Sequence, residues 1–324
     1  MADAQAANAT LAPGSFMVVN SFLDELVAGY ESNPLRTRLA FRELLSEQPG
    51  EFLRSALNLF ERGMCPGASE SIAKLLLAND IALSALGDPA LCSLPEALGL
   101  ARAAALVEPG LDVRLMKRVW GTGHAPNTAV VLRVLEILTG ISDGVRVMAQ
   151  LMQLLRDPNP RVRSKVVLLI GRAKKELRWI EPYLKDPDHR IRANAVEACW
   201  SMNSAEATQV FKAASQDFHH RVAANACFGL VAAGCPDANL QVEQLASFNE
   251  PLFRAAAAWV MGKTGDPAFL PTVVEMAKSK ESVVRRAAIR SVVALRKVEA
   301  ERARTGASVS KPAVEPVQDQ PESV

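Results

Sequence analysis

Four arginines share one column of a repeated segment in the second half of this 324-residue chain. A guanidinium that recurs at fixed spacing is a group able to hold an anion. Aligning the segments that begin at Asp157, Asp186, Asp217, Phe248 and Ser279 brings Arg163, Arg192, Ala223, Arg254 and Arg285 together, at intervals of 29, 31, 31 and 31 residues. Arg161, Arg190 and Arg221 stand two positions earlier. Guanidinium is planar, always charged and grips carboxylate or phosphate in a fork. A stacked row of them reads as a ridge for an acidic protein segment or a phosphate backbone. The same segments also carry Asp157, Asp186, Asp188, Asp217, Glu250 and Glu281 just before the column. Acids at such turns cap the following helix and pair with neighbouring arginines, which makes the column a structural ladder between repeats. Both readings fit the spacing.

Other residues with chemical potential give weaker signals. Gly262-Lys263-Thr264 has the end of a phosphate-binding loop, but that motif needs a glycine at 257, where this chain has Ala257 inside a helical pattern, and a preceding strand. A helix-ending glycine before Asp266-Pro267 accounts for it better. His189 and His220 occupy turns of successive repeats and read as surface residues. The five cysteines (65, 92, 199, 227 and 235) lack CxxC spacing and read as small core hydrophobes in a reducing compartment. Neither a nucleophile elbow nor a paired-carboxylate set stands out. Trp200, Trp259 and Phe228 lie off the main apolar columns, either packed on a neighbouring helix or anchoring a binding surface.

The elements that must position these side chains follow from the apolar columns. One residue before the arginine column stand Val162, Ile191, Val222, Phe253 and Val284; four after it, Val167, Val196, Cys227, Ala258 and Ile289; seven after it, Ile170, Cys199, Leu230, Met261 and Val292. Offsets of −1, +3, +4 and +7 trace one stripe of a helix. At +3 the residues are Val166, Ala195, Ala226, Ala257 and Ala288, small enough for close helix approach. A second apolar pattern precedes each stripe: Val147, Leu151 and Leu154; Leu177, Ile180 and Leu184; Phe269, Val273 and Met276. Each repeat is therefore a helix pair that cannot bury its own stripe. Stacking the pairs completes the interior, which predicts an all-α, right-handed α-solenoid.

Gly262 to Pro267, followed by Leu270-Pro271, the Val273 to Met276 helix and Val284-Arg285-Arg286-Ala287-Ala288, resembles the short HEAT-like repeat of phycobilisome lyases. The Asp157-Pro158 and Asp186-Pro187 repeats are similar to it. The resemblance spans roughly residues 142 to 298; the fourth repeat departs from it with Phe248-Asn249, and the third with Ala223 in the column. It implies the fold, with a bilin-attaching enzyme or enzyme subunit as one functional alternative. Another HEAT-like group, the deoxyhypusine hydroxylases, holds iron through His-Glu pairs; none of the four histidines here precedes a glutamate, which excludes that chemistry on motif grounds. A third possibility resembles the HEAT-like DNA glycosylases, which bind nucleic acid. The scarcity of aromatic residues interleaved with the bases disfavours it.

Composition sets the frame. Charge is uneven: residues 1–154 carry −4, 155–305 carry +8 and 306–324 carry −2. The N-terminal sequence has no secretory signature, and no stretch approaches 18 uninterrupted apolar residues, so a cytoplasmic protein is expected without membrane attachment. Residues 1–14 and 305–324 are expected to be disordered, 15–124 to form a divergent helical region, and 125–304 the HEAT-like array, opening at the glycine-rich stretch 121–126 with a degenerate helix from Asn127 to Leu138. Stripes at Phe16, Val19, Leu23 and Leu26, at Leu53, Leu57 and Phe60, and at Ile72, Leu75 and Leu76 give the first region its helices, with Pro34, Pro49 and Pro66 at the boundaries. The segment Glu108 to Arg114 resembles a repeat turn in a divergent unit. The expected function is a non-catalytic protein-binding scaffold that needs no metal or cofactor. Its contacts would come from Arg163, Arg192, Glu197, Arg254, Trp259, Arg285 and Arg290. Neither the partner's identity nor the oligomeric state is written in the sequence.

Overall fold

The computed structural model describes residues 13–120, 127–142 and 144–305, and every regular element among them is helical. The expected disordered ends, and the glycine-rich break at 121–126, lie outside the described residues apart from a few at their edges. The chain divides into two compact units, 1–142 and 143–324.

The first unit contains α1 (Pro13–Ala28), α2 (Pro34–Glu47), α3 (Pro49–Arg62), α4 (Pro66–Ala78), α5 (Ile81–Gly87), α6 (Leu94–Val107), α7 (Leu111–Trp120) and α8 (Thr128–Ile141). Pro34, Pro49 and Pro66 each occupy the first turn of their helix, where the missing N–H would have had no partner anyway. Phe52, Ile72, Leu76 and Leu86 are wholly buried, and α6 packs against α3, α4, α5 and α8. The helix expected to open the array, α8, belongs to this unit instead. Its contacts run to α5, α6 and α7, and Arg133 explains the attachment. This buried guanidinium donates from Nε to Leu86 O (2.8 Å) and from Nη2 to Cys92 O (2.9 Å) and Cys92 Sγ (2.9 Å). With Ala85 O also within reach of Nη2 (3.4 Å), the buried charge ties α8 to the end of α5 and to the segment that follows it.

The second unit is the solenoid of helix pairs that the columns imply. Its first helices are α9 (Met148–Leu154), α12 (Ala205–Ala214), α14 (Ala238–Ala246) and α16 (Leu270–Met276); its second helices are α10 (Pro160–Lys174), α11 (His189–Ala198), α13 (His220–Ala232), α15 (Pro251–Thr264) and α17 (Ser282–Thr305). One expected helix is missing. The Leu177, Ile180, Leu184 pattern forms two short 3₁₀ stretches, Leu177–Trp179 and Glu181–Lys185, because Pro182 removes a backbone donor from an already short segment.

Each second helix packs on the next, α10 on α11, α11 on α13, α13 on α15 and α15 on α17. The columns at +3 and −1 are buried throughout, as the periodicity requires. Gly262 lies inside α15, where a Cβ would come within 2.8 Å of Ser291 Cα, so its small size allows close approach of α17. The helix-ending glycine is Gly265, left-handed at φ 65°. The seam also carries polar ties that the apolar stripe concealed. Ser164 Oγ donates to Arg190 O (3.0 Å), Asn194 Nδ2 to Ser164 Oγ (2.8 Å), Asn225 Nδ2 to Ala193 O (3.0 Å) and Ser291 Oγ to Ala258 O (2.7 Å).

Candidate interaction surface

The turn before each second helix is built by side chains folding onto their own backbone. Asp157, Asp186 and Asp217 each accept the amide two residues on, at 2.8 Å. They therefore shape the turn rather than cap the helix. Capping falls to the residue four before the column: Asn159 accepts from Arg161 N (2.9 Å), Asp188 from Arg190 N (2.8 Å) and His219 Nδ1 from Arg221 N (3.2 Å).

Column arginines close these turns. Arg163 Nη1 donates to the carbonyls of Asp157 (2.9 Å) and Pro158 (3.0 Å), Arg192 Nη1 to Asp186 (2.8 Å) and Pro187 (3.1 Å), Arg254 Nη1 to Phe248 (3.4 Å) and Asn249 (3.2 Å), and Arg285 Nη1 to Ser279 (2.7 Å) and Lys280 (3.2 Å). In every case the acceptors lie six and five residues earlier. Two of the arginines also reach the next repeat. Arg192 forms a fork on Asp217, Nε to Oδ2 at 2.9 Å and Nη2 to Oδ1 at 3.0 Å, and Arg254 meets Glu281 at 3.1 Å. The Arg192 side chain is 6% exposed, and the Phe218 ring lies 4.6 Å from its guanidinium carbon. Arg114, in the segment resembling a repeat turn, pairs instead with the carboxylates of Glu108 and Asp80, both at 2.7 Å.

A family profile described as HEAT repeats matches residues 148–219 and 210–293. Residues 148–293 are HEAT repeats. Among solved structures, the chain is similar to human deoxyhypusine hydroxylase in complex with glycerol, at 16% identity and a TM-score of 0.38, covering 88% of this chain and 100% of that one. No curated protein matches.

Within the HEAT repeats the remaining expected contacts have different surroundings. Glu197 is held by Arg172 across the seam at 3.1 Å, both side chains largely covered. Arg290 and Arg285 are exposed on α17. Trp259 is partly exposed and joins an aromatic row across three repeats, with Trp200 in the 3₁₀ stretch Cys199–Ser201 just after α11: Trp200 to Phe228 at 4.6 Å, Phe228 to Trp259 at 6.3 Å. Phe228 is fully buried and serves packing alone, with the Lys263 ammonium 5.8 Å from its ring. Trp200 Nε1 donates to Asn225 O (2.8 Å), which fixes its indole.

The histidines form something other than isolated surface groups. His189 stacks on His219 at 3.8 Å, His219 on His220 at 4.4 Å, and His220 meets Phe253 edge-on at 6.1 Å. Burial first, then the neighbouring imidazoles and Arg221, push His219 down to about 4; His189 and His220 are lowered as well, with burial again the main cause. All three rings are thus neutral at pH 7. The repeat register places His189 and His220 at equivalent turns and so near one another; what it does not give is His219 stacked between them. Among the described residues no group of three His, Cys, Asp or Glu side chains is arranged to hold a metal, and no helix is long and apolar enough to cross a membrane.

Proposed function

We propose that the protein is a non-catalytic, protein-binding scaffold whose HEAT repeats present a preordered surface on their second helices. One observation carries this reading: Trp200, in the short 3₁₀ stretch Cys199–Ser201 that ends the second repeat, and Trp259, on α15 of the fourth, are tied through buried Phe228 into a single row, yet both stay partly exposed. Tryptophan held rigid and partly exposed loses little ordering entropy on binding and offers a large apolar area, which is why it dominates protein interfaces. The column arginines hold the turns that open the second helices, their guanidiniums already committed to backbone carbonyls.

The test is affinity capture from the native cell with the full chain and its Trp259→Ala variant, compared by quantitative mass spectrometry. A protein enriched by the wild type and at least tenfold reduced with the variant, whose circular dichroism is unchanged, supports the proposal. Identical capture by both proteins removes the tryptophan row from it.

A further inference from the structure

Among the described residues α17 is the last second helix, and the face that each earlier second helix buries against its successor is open on it. In these HEAT repeats that face consists of the columns at +1, +4 and +8. At +1, Ser164, Ala193, Ala224 and Ala255 are buried; at +4, Val167, Val196, Cys227 and Ala258 are buried. At +8, Gly171 and Gly262 touch the next second helix directly, while Trp200 and Val231 are partly buried. On α17 the same columns hold Arg286, Ile289 and Val293. Arg286 is exposed, Ile289 is 50% exposed and Val293 65%.

A terminal repeat that served only as a lid would carry polar groups at all three columns. This one is polar at its margins and apolar at its centre. Arg286, Arg290, Ile289, Val293 and Lys297 share one helix face through their spacings of three, four and seven. Seven basic residues and two acidic ones give α17 a net charge of +5. Arg286 and Arg290 are exposed and make no ion pair among the described residues. We infer that this end face is a docking site for an acidic amphipathic helix of a partner protein, seated where a sixth repeat would pack. Its apolar side would cover Ile289 and Val293 while its Glu or Asp flanks meet Arg286 and Arg290.

Charge decides among occupants. Two copies meeting face to face would bring two helices of +5 together, which opposes association. A phosphate backbone would satisfy the arginines and leave Ile289 and Val293 wet. Only a partner with carboxylates flanking an apolar stripe complements both features, the groove-binding mode of amphipathic helices. This surface is distinct from the Trp200–Trp259 row, so either can fail without the other, although both rest on the scaffold reading.

The probe is a labelled acidic peptide with leucines at i, i+3, i+4 and i+7 flanked by glutamates, paired with a scrambled peptide of identical composition. Binding to the full chain is followed by fluorescence anisotropy. The expected result is at least tenfold tighter binding of the striped peptide, lost about tenfold in Ile289→Ser/Val293→Ser and in Arg286→Glu/Arg290→Glu, and unaffected by Trp259→Ala. Equal affinity for both peptides would reduce the face to general electrostatics and overturn the inference. So would striped-peptide binding that both double variants retain, duplex DNA displacing the striped peptide, or a dimer in sedimentation that Ile289→Ser/Val293→Ser dissolves.

Discussion

Lowering the pH should loosen the HEAT array at one identifiable junction. His219 sits between the His189 and His220 rings and caps α13 through Nδ1, which must be unprotonated to accept Arg221 N–H. A proton there would break the cap and set a charge beside Arg221 and two imidazoles, with only Asp217 and, beside His189, Asp188 opposing it. The folded value of about 4 lies below the unfolded value of roughly 6.5, so the unfolded chain binds the proton first. Stability from this group is therefore complete above the unfolded value and drains away as pH falls from about 6.5 towards 4. At about pH 5 the linkage integral gives ~2 kcal/mol, and partial exposure of the ring reduces this by screening to ~1 kcal/mol. His189 and His220 act in the same direction. The comparison is urea unfolding of wild type and His219→Asn at pH 7.5, 6 and 5. Asparagine already serves this cap at Asn159, so the variant keeps the helix start while losing the titrating group. Wild type should lose ~1 kcal/mol more than the variant between pH 7.5 and pH 5. Parallel acid dependence in the two proteins would refute the reasoning.

Other consequences can be measured with the same material. Arg192→Ala strands the largely covered Asp217 carboxylate and opens the Asp186 turn, and should destabilise by about 3–5 kcal/mol in urea unfolding; Arg163→Ala, which loses two carbonyl bonds at an open turn, should lower stability by only ~1 kcal/mol. Gly262→Ala places a methyl against Ser291 and should lower stability by roughly 1–3 kcal/mol, whereas Gly50→Ala, with nothing near its added carbon, should change stability little. Thiol titration of the native protein should modify partly exposed Cys65 and Cys235 first; Cys199 and Cys227, pushed by burial up to about 12, should react only after unfolding.

Periodicity made the solenoid legible, because the columns at −1 and +3 repeat the same packing problem five times, and that at +4 four times before Ile289 is left exposed, and only stacked helix pairs solve it. Local exceptions were less legible. Pro182 sits within a pattern that reads as helix, and a backbone donor lost from the short segment 177–185 outweighs three well-spaced apolar side chains. Membership of α8 was hidden because Arg133 binds carbonyls, and carbonyl direction leaves no trace in residue type. The same reason left the arginine column open between ridge and ladder. Its partners proved to be mainly the main chain of its own turn, with acids of the next repeat in two of four cases. The aromatic row and the histidine stack depend on contacts between residues about thirty positions apart, visible once the repeat register places them side by side.

The third repeat shows why the column alone cannot define the function. Ala223 leaves its turn without the arginine clamp that the other four possess, and a binding ridge made of those arginines would be broken at its centre. The turn is nonetheless held, by groups lent from the second repeat: Arg192 forks onto Asp217, and His189 stacks on the capping His219. Phe218, 81% exposed where two other repeats have proline, lies over that guanidinium and shields the ion pair from water. Charge that would otherwise face a ligand is thus spent on coupling one repeat to the next. The partly exposed tryptophans and the basic, apolar-centred face of α17 are instead left open, and these are the two surfaces proposed to meet a protein.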